Sequence, residues 1–302
     1  MDLAALRRGR RGAVARAISA IEDDPAAARS IIKEIFPETG RSCVVGITGP
    51  AGAGKSTLID RLAQDLAARG MSPAVLAVDP TSHVTGGAIL GDRVRMSGST
   101  DSGAYIRSIA SRGATGAVSA SLRNSIRVLE YAGFDPVIVE SVGAGQTEVG
   151  ISLMADITVV VFSPNTGDSI QAIKAGLTEI GDIYVVNKGD LAGAGRLLDA
   201  VRDFVARSGG ARVVRTSARR GTGTGELAGL IESMSAERRG RRSTPESLSA
   251  ELGDIVLTGL RERVAVMAER DATFRDCVRL MQEGRLDPYS AGRRAARAVA
   301  RR

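Results

Sequence analysis

The stretch Gly49-Pro50-Ala51-Gly52-Ala53-Gly54-Lys55-Ser56-Thr57 decides the fold. It fits the pattern G-x-x-x-x-G-K-[ST], a loop whose backbone N–H groups wrap the phosphates of a nucleotide. Gly49, Gly52 and Gly54 let the backbone approach an anion closely, and the helix that follows adds its positive end. Lys55 can reach the β- and γ-phosphates, and the Ser56 hydroxyl can bind Mg²⁺. The flanks agree with this reading. Cys43-Val-Val-Gly-Ile-Thr48 is a short apolar run of the kind buried in parallel sheets, and Leu58, Ile59, Leu62 and Leu66 recur at helical spacing before Gly70.

A second segment names the base. Asn187-Lys188-Gly189-Asp190 ends the apolar run Ile183–Val186. In an N-K-x-D turn one carboxylate can accept two hydrogen bonds from the edge of guanine, and adenine lacks that pair of donors. Thr216-Ser217-Ala218 closes the next strand-like run, where a backbone N–H can support the base. The two segments together predict a site for GTP or GDP.

Between them lie candidates for metal binding and for a moving loop. Asp79 and Glu140 each end an apolar run, where a carboxylate can hold Mg²⁺ directly or through its waters. Asp92, in Gly91-Asp-Arg-Val-Arg-Met96, would need its loop folded inward to reach the ion. Many GTPases carry D-x-x-G followed at once by a glutamine that orients water. Here the run is Glu140-Ser-Val-Gly143-Ala-Gly145-Gln146, with the glutamine displaced by two places. Lys55, Glu140 and Gln146 are the catalytic candidates, and slow intrinsic hydrolysis is expected until a partner orders this loop.

Strand-like runs recur at 74–78, 136–139, 157–162, 183–186 and 213–216, with helical segments at 116–132, 168–180, 194–208 and 225–236. The alternation predicts an α/β fold, a mainly parallel doubly wound sheet with ligands at the carboxyl ends of its strands. Ahead of it, 11–36 reads as two helices split at Asp23-Asp24-Pro25. Residues 1–40 are expected to form an N-terminal helical segment, 41–237 the nucleotide-binding domain, and 238–302 a linker and helical extension. That extension begins with Arg238-Arg-Gly-Arg-Arg and continues as helices at 246–270, 273–284 and 288–300. It is too small for a core of its own, so it should pack on the main domain or on another copy.

Composition narrows the function classes. Of 302 residues, 43% are hydrophobic and 25% charged, as in ordinary globular chains. No apolar run reaches membrane-spanning length and the N-terminus lacks a secretion signal, so no membrane association and a cytoplasmic location are expected. Cys43 and Cys277 stand alone, which argues against a disulfide scaffold or a zinc site. The net charge of +7 raises nucleic acid as a partner, but only 3% of residues are aromatic and the tail arginines lie among alanines with no stacking residues between them. No nucleic-acid partner is expected. His83, the one histidine, reads as a loop residue.

The set GPAGAGKST, AVDPTS–TGGAILGDRVRM, IVESVGAGQTE, GDSIQAIKAG and VNKGD resembles the MeaB/ArgK GTPases that accompany methylmalonyl-CoA mutase, in the wider class of signal-recognition-particle-like P-loop GTPases. The likeness covers about residues 11–236. It implies a GTP-hydrolysing chaperone that gates cofactor delivery to an adenosylcobalamin-dependent acyl-CoA mutase, protects it, and is stimulated by it. On that likeness Gly49 to Thr57 hold the phosphates, and Asp79, Asp92 and Glu140 match the Mg²⁺-associated acids. Asn187, Lys188 and Asp190, joined by Ser217, Ala218 and Arg219, match the guanine site. Asp168, Gln171 and Lys174 match a mobile loop that reports the nucleotide state, beside the loop whose Gly143 and Gly145 themselves imply freedom to move with the γ-phosphate. It further implies a homodimer through the C-terminal helices, although the tail is poor in aromatic residues. The main rival is a metallochaperone GTPase for nickel or another metal, which needs Cys/His clusters that one histidine and two distant cysteines do not supply.

Overall fold

The structure is a computed structural model and describes residues 1–79, 103–110, 115–141, 150–164, 181–208, 210–238 and 244–300. Its strands are β1 (Val44–Thr48), β2 (Ala74–Asp79), β3 (Tyr105–Ala110), β4 (Val137–Glu140), β5 (Ile157–Phe162), β6 (Ile183–Val186) and β7 (Arg212–Arg215). They form one seven-stranded sheet in the order β3-β2-β4-β1-β5-β6-β7. Every pairing is parallel. The central strands β1, β4, β5 and β6 are buried along their whole length. Burial on both faces explains why they read as continuous apolar runs rather than as alternating ones.

The helices are α1 (Leu3–Arg7), α2 (Arg11–Asp23), α3 (Pro25–Ile35), α4 (Lys55–Ala68), α5 (Thr115–Tyr131), α6 (Ala194–Ser208), α7 (Thr224–Arg238), α8 (Pro245–Arg270), α9 (Ala272–Gln282) and α10 (Pro288–Ala300). Successive residues of a strand serve opposite layers. Val44 joins Ile18 of α2, Ile31 of α3 and Leu129 of α5 in one cluster. Val45 and Ile47 join Leu58 and Leu62 of α4 and Leu227 and Ile231 of α7 in another. A third cluster seats Leu198 and Val201 of α6 against Val160, Phe162 and Tyr184. Leu58, Ile59, Leu62 and Leu66 are fully buried, and each stabilises α4 on the sheet by about 1.5–3 kcal/mol. That packing fixes where α4 begins, and so where the phosphate loop lies.

Most expected elements appear within two residues of their predicted bounds. Asp24 caps α3 by accepting from the Ala26 N–H at 2.7 Å, with Pro25 in the first turn as expected. Two elements were not expected, α1 and β3. With β3 counted, the Asn187–Asp190 turn follows the sixth strand. The helix expected at 168–180 and the residues around His83 lie outside the described residues.

The chain divides into two compact units, Met1–Ser247 and Leu248–Arg302. Within the second unit Asp271 caps α9, accepting from the Thr273 N–H at 2.7 Å, while Asp276 of α9 pairs with Arg294 of α10 at 2.7 Å. Cys277, Ala291 and Ala295 are buried. Leu252, Ile255, Leu257 and Val266 of α8 are all more than half exposed. Among the described residues no helix is long and apolar enough to cross a membrane.

Candidate nucleotide site

Strand β1 lies between β4 and β5, and the chain leaves it toward β2 on one side and later returns through β5 on the other. Parallel sheets open a crevice at the carboxyl ends of the strands where the order reverses, and residues 49–57 follow β1 at that point.

The loop's shape depends on its glycines. Gly49 has φ +142°, and a Cβ there would lie 2.1 Å from the Val161 carbonyl oxygen of β5. Gly54 has φ +89°, and a Cβ there would meet the Asn187 amide nitrogen at 2.6 Å. Gly49→Ala is expected to lower unfolding free energy by at least about 3 kcal/mol, since neither a strand backbone nor a left-handed turn gives way cheaply. Denaturant unfolding checks this, and a loss under about 1 kcal/mol would contradict the packing described.

Behind the loop, Lys55 is buried, and its Nζ donates to the Gly49 carbonyl at 2.8 Å and to the Pro50 carbonyl at 3.2 Å. Ser56 Oγ donates to Glu140 Oε1 at 2.7 Å. Ser141 Oγ donates to Thr48 Oγ1 at 3.1 Å, a second tie between the end of β4 and the start of the loop. The Ser56 hydroxyl and the Glu140 carboxylate thus meet as a pair of hard oxygen donors, a set that suits Mg²⁺. Asp79 closes β2, whose Ala77 pairs with Glu140.

The second segment is tied to the first. Asn187 Nδ2 donates to the Ala53 carbonyl at 3.0 Å, and Asn187 Oδ1 accepts from Thr216 Oγ1 at 3.1 Å and from the Ala218 N–H at 3.2 Å. Lys188 Nζ donates to the Gly52 carbonyl at 2.7 Å. Asp190 Oδ1 accepts from Ser217 Oγ at 2.7 Å, and its Oδ2 lies 3.4 Å from Arg220 Nε. The Ser217 hydrogen bond holds the Asp190 carboxyl below its ordinary range, with Arg220 and Arg219 adding to the effect. A carboxylate held in this way stays charged and aimed, as recognition of two N–H donors requires.

These residues border one cavity of about 610 Å³. Its walls carry Ala51, Gly52, Gly54, Lys55, Ser56, Thr57 and Glu140 together with Asn187, Lys188, Asp190, Ser217, Ala218 and Arg219. Gly49, Pro50 and Ala53 are not on the walls; they shape the loop from behind. Asp92, Gly143, Gly145, Gln146, Asp168, Gln171 and Lys174 lie outside the described residues. Ser141 and Leu191 also line the cavity and were not singled out in the sequence. Leu191 had one available signal, its place directly after Asp190. The contact of Arg220 with Asp190 needed the fold.

Comparison with known proteins agrees with this geometry. The family model described as methylmalonyl-CoA mutase-associated GTPase MeaB matches residues 14–250. A relative from Pyrococcus abyssi that is named as a GTPase is 42% identical over 299 residues, covering 95% of this chain and 92% of its own length. GTPase ArgK of Escherichia coli is 40% identical over 190 residues, which span 61% of this chain and 57% of that protein. Among solved structures, a protein described as LAO/AO transport system kinase superimposes with a TM-score of 0.69 at 26% identity, covering 99% of this chain and 96% of the other. The fold, the phosphate loop and these matches agree: the chain is a P-loop GTPase that hydrolyses GTP, and it belongs to the methylmalonyl-CoA mutase-associated GTPase MeaB family.

Proposed function

We propose that this GTPase is a chaperone for an adenosylcobalamin-dependent acyl-CoA mutase, with methylmalonyl-CoA mutase the first candidate, and that it gates cofactor delivery by its nucleotide state. The observation that carries the reading is the single cavity joining Lys55 and Ser56 to Asn187 and Asp190, in a chain whose family is described by its association with that mutase. In this reading the backbone N–H groups of Gly49 to Thr57 cradle the phosphates. Lys55 exchanges its two loop carbonyls for β- and γ-phosphate oxygens, and Asp190 accepts from guanine. Ser56 and Glu140 would hold Mg²⁺, with Asp79 and Asp92 as further candidates. The ion, when bound, neutralises charge developing on the phosphates.

The chain's own residues supply a route for signalling. Glu140 and Ser141 are tied to Ser56 and Thr48 on the two sides of the phosphate loop. A displacement of Ser56 on nucleotide exchange therefore reaches the start of the segment holding Gly143, Gly145 and Gln146. In this reading that segment and the one holding Asp168, Gln171 and Lys174 report the nucleotide state to the mutase. A cytoplasmic homodimer through α8 to α10 is part of the same proposal. The exposed Leu252, Ile255, Leu257 and Val266 support it, since apolar residues grouped on one long helix favour a covering partner.

GTP turnover by the purified chain is expected to be slow and to rise about tenfold or more when methylmalonyl-CoA mutase is added. Turnover that stays unchanged with the mutase, together with no GTP-dependent complex on gel filtration, would remove the partner assignment and leave the GTPase standing.

A further inference from the structure

We infer that Arg215 is a positioning residue for guanine recognition, a clamp on the turn that carries Asn187 to Asp190; this rests on the assignment of that turn as the guanine site. The turn is strained. Among the described residues, Lys188 is the one non-glycine residue with a left-handed backbone, at φ +53°. That conformation is unfavourable for a residue with a Cβ and persists only where its surroundings over-determine it.

Three ties hold it. The Gly189 N–H donates to the Thr216 carbonyl at 2.8 Å, and Lys188 Nζ reaches the Gly52 carbonyl. The third comes from outside the motif. Arg215, the last residue of β7, donates to the Gly189 carbonyl through Nε at 2.9 Å and also through Nη2. Its stem lies flat on the turn as well, for a Cβ at Gly189 would meet Arg215 Cγ at 2.8 Å and Nε at 2.9 Å. The fork of an arginine suits this double donation, and its positive charge strengthens it.

The consequence is geometric. Two residues beyond Arg215 in the chain, Ser217 donates to Asp190. The end of β7 thus grips the turn at Gly189, and Ser217 just beyond it orients the Asp190 carboxylate. Arg215 is not on the wall of the cavity and acts on the base only through this turn. Without the clamp, Lys188 can relax out of its left-handed conformation and Asp190 loses its aim, while Lys55 keeps its own contacts with the Gly49 and Pro50 carbonyls at the phosphate end.

The test uses the full chain and calorimetric titration with GDP, ADP and inorganic pyrophosphate. Arg215→Met keeps the stem and removes both donors. It is expected to weaken GDP about tenfold while leaving ADP and pyrophosphate unchanged. Arg215→Lys, which keeps the charge and one flexible donor, is expected to fall between, at about threefold. GDP affinity equal to that of the unmodified chain in Arg215→Met would overturn the proposal, as would a loss shared equally by pyrophosphate. Should Arg215→Met not fold, Arg215→Lys decides, and wild-type GDP affinity there overturns the clamp. The underlying guanine assignment fails separately: there the unmodified chain shows no preference for GDP over ADP and Asp190→Asn leaves GDP affinity untouched.

Discussion

Lys55→Ala is expected to weaken GTP and GDP by about a hundredfold to a thousandfold, or about 3–4 kcal/mol. The side chain is only 7% exposed, and its ammonium is held by the Gly49 and Pro50 carbonyls inside the phosphate loop. A nucleotide offers that ammonium charged phosphate oxygens in a partly dry pocket, where a charge-assisted hydrogen bond is worth more than in water. Alanine cannot supply the charge. The fold should survive the change, because position 55 opens α4 and alanine is the better helix former. The measurement is nucleotide titration beside a thermal melt. Affinity within about tenfold of the unmodified chain, with the melt intact, would remove Lys55 from the phosphate site.

Asp190→Asn should act at the other end of the cavity. The carboxylate is aimed by Ser217 at 2.7 Å and faces Arg220 at 3.4 Å. Guanine presents N1–H and an exocyclic amino group side by side, two donors matched to two carboxylate oxygens. An asparagine replaces one of those oxygens with an NH₂ group, so one hydrogen bond is lost and a donor then faces a donor. GTP is expected to weaken about a hundredfold while ATP is unaffected, so that the discrimination between them collapses. Acid should not mimic the substitution under mild conditions. The Asp190 pKa is lowered from 3.8, so its ionised state, and with it base choice, is present above that value and is lost only as pH falls below it. Competition of GTP and ATP for the mutant reads this directly. Discrimination equal to that of the unmodified chain would mean that Asp190 does not read the base.

The parts of the site legible in the sequence are those whose chemistry is local. Gly49, Gly54, Lys55 and Ser56 do their work within one loop, and the loop's neighbours, an apolar strand and a helix with Leu58, Leu62 and Leu66 in register, announce themselves by period. Asn187 and Asp190 were legible from context, because their four-residue pattern ends an apolar run and Thr216-Ser217-Ala218 ends the next. The elements that stayed hidden depend on distant partners. Strand β3 carries Arg107 and Ser108 in its middle and so breaks the apolar run expected of a buried strand. Its edge position explains this, with Arg107 paired to Glu22 and Ser19 of α2, both at 2.9 Å. Helix α1 is five residues long, too short for a period, yet Leu6 is fully buried and Asp2 caps it by accepting from the Ala5 N–H at 2.9 Å. Nothing in the sequence singles out Arg215 within the strand-like run 213–216. Only the pairing of β6 with β7 brings it over Gly189.

The central claim is one cavity that holds phosphates at one end and selects guanine at the other. Titration calorimetry of the full chain with GDP and with ADP, each with Mg²⁺, tests it most directly. The account predicts GDP binding at least about a hundredfold tighter than ADP. Equal affinity for the two, tighter ADP, or heat from neither would contradict it.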